Sequence, residues 1–224
     1  MANKKKMKDI LQSRDSIMII IFCIMYLVGV GGHAWDQTFP LMLQLTPAIL
    51  FSLGIAAFSP VILERRWKVV AWAVATYLVT LGLEILGVQT GMVFGAYQYG
   101  ETLGVALWGT PLVIGFNWVL VVLGAVLISN GVFKNRLLST ISAGVMSVFF
   151  DYILEPVAIS PGFDYWQWAQ GDIPLQNYLA WFIIATAAAA LFNYFRLRVD
   201  SLVPRAYFFI QLTFFVLLRL TLGI

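Results

Sequence analysis

One cysteine and one histidine are all that the 224 residues offer to a disulfide or a soft metal ion. Cys23 therefore has no intrachain partner, and its place in an apolar run reads as packing. A lone Cys and His are too few for a zinc site, which takes about four ligands. Charge is also scarce, at 11% of residues. No lysine follows Lys134, which excludes a Schiff-base chromophore in the last helix. The formal excess of +3 falls in short clusters between apolar runs, as topology signals do, and leaves no footprint for a nucleic-acid partner. What the chain has in abundance is apolar surface: 61% of residues are hydrophobic and the mean hydropathy is +0.86. Several apolar runs exceed the length of strands or ordinary core helices, so the sequence predicts a polytopic membrane protein.

Taken in order, the runs predict an all-α bundle of seven transmembrane helices, at about 17–32, 41–59, 67–88, 107–128, 137–157, 179–195 and 206–222. They form one integral membrane domain over 1–224, with a basic tail at 1–16. The first run follows Lys4, Lys5, Lys6, Lys8 and Arg14 and precedes small residues, a pattern shared with signal peptides. The regular alternation of the later loops favours a retained helix. Thirteen of the fourteen bases lie in the tail and in the turns holding Arg65, Arg66 and Lys68, then Lys134 and Arg136, then Arg196, Arg198 and Arg205. The intervening segments carry Asp36, Glu101, Asp164 and Asp172 instead. Basic loops stay in the cytoplasm, so the expected N-terminus is cytoplasmic and the C-terminus outside.

Against this background the segment S-V-F-F-D-Y-I-L-E-P-V-A, Ser147 to Ala158, stands out. Asp151 and Glu155 are four residues apart, and a helix stacks them on one face. Pro156 cannot donate to the Tyr152 carbonyl, which frees an acceptor beside the acids. On the expected topology Glu84, Asp151 and Glu155 lie within one or two turns of the outer end. Asn117 and Trp118 sit just beneath them, and Arg219 is at the same level. Ionisable groups in hydrocarbon mark functional sites by default, although acids at a helix end, snorkelling by Arg219 and an interhelical hydrogen bond from Asn117 are the plainer readings.

The outer loops are glycine- and aromatic-rich. Gly87, Gly91 and Gly95, spaced by four, are expected to let helices approach. No Lys-Ser or Lys-Thr follows them, so no phosphate loop is indicated. Trp166, Trp168, Tyr178 and Trp181 share a side with Trp35, Tyr97, Tyr99 and Trp108. Such aromatics form an interfacial belt, or line a pocket that tolerates developing positive charge. His33 is expected at the surface.

Four ordered blocks carry a resemblance: E-I-L-G-V-Q-T-G-M-V-F-G-A-Y-Q-Y-G from Glu84, P-L-V-I-G-F-N-W from Pro111, D-Y-I-L-E-P-V-A from Asp151, and W-Q-W with I-P-L-Q-N-Y-L-A-W up to Trp181. Together they resemble the membrane carotenoid-biosynthesis family that includes carotenoid 1',2'-hydratases and bisanhydrobacterioruberin hydratase. Some members carry Asp-Pro where this chain has Glu155-Pro156. The resemblance implies a cell-membrane enzyme without cofactor or metal, acting on an acyclic carotenoid end of lycopene, γ-carotene or bacterioruberin-precursor type, with water as co-substrate and other pathway enzymes as candidate neighbours.

The implied reaction protonates the terminal 1',2' double bond and captures the tertiary cation with water. Burial and a neighbouring carboxylate both favour a neutral acid, so three acids facing at most one arginine do not all ionise. Asp151 is the expected donor, with Glu155 sharing its proton or orienting water and Glu84 as third partner; the order among the three stays open. Asn117, Trp118, Tyr97, Tyr99, Phe94, Trp166, Trp168, Asn177, Trp181 and Arg219 are the expected substrate contacts. The same acids would serve a lycopene-cyclase-like enzyme, in which an internal double bond captures the cation. A proton-coupled transporter or a carotenoid-binding protein is the non-enzymatic alternative; a transporter needs a path to both sides, whereas these acids crowd one end.

Overall fold

The structure, a computed structural model, describes residues 2–223, with side chains from residue 12 onward. Lys4, Lys5, Lys6 and Lys8 of the expected tail thus lie outside the described side chains. Among the described residues seven helices are long and apolar enough to cross a membrane. They are α1 (Ala2–Ala34), α2 (Phe39–Leu63), α3 (Trp67–Thr90), α4 (Leu112–Val132), α5 (Arg136–Ala158), α6 (Leu175–Tyr194) and α7 (Val203–Leu222).

The first helix starts at Ala2 rather than near residue 17, so the expected basic tail is part of α1. Two further helix starts, the fourth and the sixth, differ from the sequence expectation, each for a local reason. The fourth begins at Leu112 because Leu107 belongs to a small hairpin, β2 (Ala106–Leu107) paired with β3 (Thr110–Pro111). Its turn residues Trp108 and Gly109 have φ of 49° and 80°, the two successive left-handed residues that a tight hairpin needs. The sixth begins early, at Leu175, because Pro174 caps it in an extended conformation and the polar Gln176 and Asn177 hide its first turn from a hydropathy reading.

A second ribbon crosses between the two long loops. β1 (Tyr97–Tyr99) pairs antiparallel with β4 (Trp166–Trp168), Tyr97 opposite Trp168 and Tyr99 opposite Trp166. Residues alternate faces along a strand, so all four aromatics share one face while Gln98 and Gln167 share the other. The expected glycine ladder is not a helix-packing device. Gly91 caps α3 in the left-handed region at φ 68°, and Gly95, at φ 110°, lets the backbone pass Pro174.

The centre of the bundle is α4, which packs against α2, α3, α5, α6 and α7. Residues 118–127 are buried without interruption, as expected of a helix surrounded on all sides. At the end bearing the basic turns, Asn130, Asn193, Ser139 and Thr140 bond across α4, α5 and α6. There Asp15 accepts from the Leu202 amide at 2.9 Å and Glu64 from the Ser201 amide at 2.9 Å, satisfying donors where α7 begins. With this end cross-linked by polar bonds, the opposite end carries the loops and the acids.

Candidate active site

Helix periodicity decides which side chains meet. On α5 the four-residue spacing turns Asp151 and Glu155 inward, each 1% exposed, while Tyr152 between them is 53% exposed. The helix runs through Pro156 for only two more residues, so the proline's missing donor falls in the final turn. On α3, Glu84 is 4% exposed and faces the same interior.

The three carboxyls differ in what holds them. Glu84 accepts from the Tyr97 hydroxyl, from the Tyr99 hydroxyl at 2.7 Å and from Trp118 Nε1 at 2.8 Å. Glu155 accepts from Trp166 Nε1 at 3.1 Å, Trp168 Nε1 at 2.9 Å and Asn177 Nδ2 at 3.1 Å. Asp151 accepts from Asn177 Nδ2 at 2.7 Å. The single amide of Asn177 thus bridges the two acids of α5, one N–H to each. All four aromatic residues on the inner face of the β1–β4 ribbon deliver their polar atom to a glutamate.

Burial first, and next the Glu84 charge, push the Tyr97 and Tyr99 hydroxyls well above the usual tyrosine range. Both therefore remain donors at physiological pH. Trp118 stacks on Trp181 with centroids 3.6 Å apart and planes 18° from parallel. These rings, with Phe94, put π faces around the acids.

Together these groups enclose a cavity of about 30 Å³. That volume holds a water molecule, which needs roughly 10–15 Å³ for its centre. Every candidate residue except Arg219 lines it, joined by Ile114 and Leu154. Arg219 is half-buried in the last turn of α7, within electrostatic reach of Tyr178. Among the described residues no group of three His, Cys, Asp or Glu side chains is arranged to hold a metal ion.

Other expected aromatics stay away. Trp35 and Trp108 are 69% and 70% exposed, and Tyr178 pairs with Tyr152 outside the cavity. His33 is not a surface residue: it is buried, stacked on Phe163 at 5.5 Å, with Nδ1 2.7 Å from the Gly29 carbonyl. Sequence reasoning passed over Gln211, which is 1% exposed on α7 and donates through Nε2 to Asn117 Oδ1 at 3.4 Å. Its signal was available, a lone amide in the run F-F-I-Q-L-T-F-F.

A family described as carotenoid biosynthesis protein matches residues 44–223. Bisanhydrobacterioruberin hydratase of Haloarcula japonica is 37% identical over 152 residues, which is 62% of this chain and 49% of that protein. The chain thus spans about half the length of the curated relative it matches. No solved structure matches.

Proposed function

The chain belongs to the carotenoid biosynthesis protein family, and from that premise we propose that it hydrates the terminal 1',2' double bond of an acyclic carotenoid end group by acid catalysis, as an enzyme of the cell membrane. One observation carries the reading. Three buried carboxyls surround a water-sized space, and two of them are held by three donors each while Asp151 has one.

Donors stabilise the ionised form of a carboxyl. Glu84 and Glu155 are accordingly the carboxylates, and Asp151 is the group left to carry the proton. In the first step the Asp151 hydroxyl protonates C2', the alkene π pair forms the new C–H bond, and a tertiary cation remains at C1'. The faces of Trp118, Trp181 and Phe94 favour that cation, as do the two glutamates. A water in the cavity, within reach of Asn117, then forms the C–O bond and gives its proton to Glu155. Both acids line the same water-sized cavity, so a water there returns the proton from Glu155 to Asp151. The net change is alkene plus water to tertiary alcohol, with no electron gained or lost. A water-sized polar space beside the acids favours this outcome over cyclisation, which requires water to be kept away.

The test is expression in a host that makes lycopene, grown in ¹⁸O-labelled water. The expected product gains the mass of one labelled water. A ring-bearing product of unchanged mass would replace hydratase with cyclase, and unaltered lycopene alongside full-length folded protein would remove lycopene as the substrate.

A further inference from the structure

The acid cavity holds water but not a long hydrocarbon, so the rest of any carotenoid lies elsewhere. A second cavity, about 140 Å³, is enclosed by α1, α2 and α7. Its wall is nearly all apolar: Met25, Gly29, Met42, Ile49, Leu50 and Phe215 are representative. On one side it is bounded by Val28 and Leu45, which are 60% and 41% exposed on the outer face of the bundle, where lipid would lie.

Two contacts join it to the acids. Tyr165 lines the apolar pocket and its chain neighbour Trp166 lines the acid cavity, their rings 6.4 Å apart. Asn117, on the acid cavity, bonds Gln211, which approaches the hydroxyl of Tyr26 in the apolar pocket. At 3.4 Å the Asn117–Gln211 bond is at the weak end of its range. Gln211 Oε1 is buried with no partner among the described residues. With one long donor bond and its acceptor unsatisfied, Gln211 holds this contact only weakly.

We propose that the pocket between α1, α2 and α7 binds the stretch of conjugated chain next to the carotenoid end group that reacts at Asp151, and admits it sideways from the bilayer. The proposal rests on the hydration reading for its ligand. That stretch lies between α1 and α2 with its leading end at the Asn117–Gln211 contact, which parts to let the end group reach the acids, while the rest of the polyene extends past Val28 and Leu45 into the bilayer. Substrates of this class partition into hydrocarbon, so an opening toward lipid is the entrance their solubility requires.

The probe is lycopene, added to purified protein in detergent and measured by absorbance after gel filtration. Asp151→Asn serves as the parent so that no turnover occurs. In that parent, Ile49→Trp and Leu50→Trp fill the pocket and are expected to weaken lycopene retention about tenfold or more. Thr213→Trp, on a separate groove of about 230 Å³ lined by α1 and α7 alone, leaves retention unchanged. Equal retention in the filled variants, or no retention in the parent, overturns the proposal. Should the tryptophan variants fail to fold, a photoactivatable acyclic polyene decides with the parent itself: labelling within 42–50, which lines this pocket and not the neighbouring groove, supports the pocket, and labelling confined to other segments overturns it. Retention in the pocket by a wild-type protein that forms no hydrated product refutes the hydration reading and leaves the pocket standing.

Discussion

Asn177→Leu removes the amide that ties Asp151 to Glu155 while keeping the branched shape and the number of side-chain heavy atoms. Its Nδ2 lies 2.7 Å from Asp151 and 3.1 Å from Glu155, so both bonds are lost at once. The bond to an ionised Glu155 contributes about 1.5–3 kcal/mol and the bond to a neutral Asp151 about 0.5–1.5 kcal/mol. Their sum, about 2–4.5 kcal/mol, corresponds to roughly 30- to 2000-fold in rate if it acts wholly on the transition state. Part of it will appear instead as reduced stability, because the two carboxyls must then share the site without a common donor. The assay is hydrated carotenoid formed per amount of membrane protein, read by mass spectrometry beside a thermal melt. Lycopene retention should stay near wild type, since the amide holds acids rather than the polyene. A wild-type rate in Asn177→Leu, with the protein folded, would show that the bridge does not organise the chemistry.

The ribbon glycine gives a structural counterpart: in Gly95→Ala the new Cβ meets Pro174 Cγ at 2.7 Å from a φ of 110°, so a loss of about 1–3 kcal/mol is expected in the melt, with activity falling as the aromatics lose register. Gly171→Ala, at φ 81° with nothing within 4 Å, should cost less. Tyr97 and Tyr99 ionise above the usual tyrosine value when folded, so the unfolded chain loses these protons first. Stability from this source is fully present below about pH 10 and declines as pH rises beyond it; Tyr97→Phe with Tyr99→Phe should flatten that alkaline decline in a pH series of melts. Sidedness is tested by reporter fusions: those after Arg66, Lys134 and Arg198 should report the cytoplasm and those after Gln98 and Gln170 the opposite side, and a cytoplasmic signal at Gln170 would reverse the proposed orientation.

The helices were legible because hydrocarbon leaves the backbone few options, and a run of some twenty apolar residues has to be helical. The acids were legible for a related reason. Glu84, Asp151 and Glu155 interrupt such runs, and the distribution of arginine and lysine puts all three at the same end. What hydropathy does not reveal is which aromatics turn inward. Y-Q-Y and W-Q-W are both short period-2 patterns, and their equal length could have suggested a ribbon, yet nothing local pairs residues so far apart in sequence. Trp108 shows the limit from the other side: it resembles Trp166 in composition and loop context, but the left-handed turn of the small hairpin points it outward. His33 was misplaced because its neighbours Gly31 and Gly32 read as the end of a helix, whereas α1 continues past it to Ala34 and packs it on Phe163. Gln211 was passed over among the aromatic residues of α7, although an amide in such a run needs a partner, and here that partner is Asn117.

The central claim, that Asp151 supplies the proton, is tested most directly by comparing Asp151→Asn with Glu84→Gln and Glu155→Gln in lycopene-producing cells, with protein amounts matched. Asn keeps the size and a polar contact to Asn177 but has no acid proton, and general acids contribute about 10²–10⁴-fold. The account predicts no detectable hydrated product from Asp151→Asn, and reduced but measurable product from at least one of the glutamate variants, because Glu84 holds charge and Glu155 takes the proton of the attacking water, and neither delivers the first proton. Hydrated product at the wild-type level from folded Asp151→Asn would contradict it.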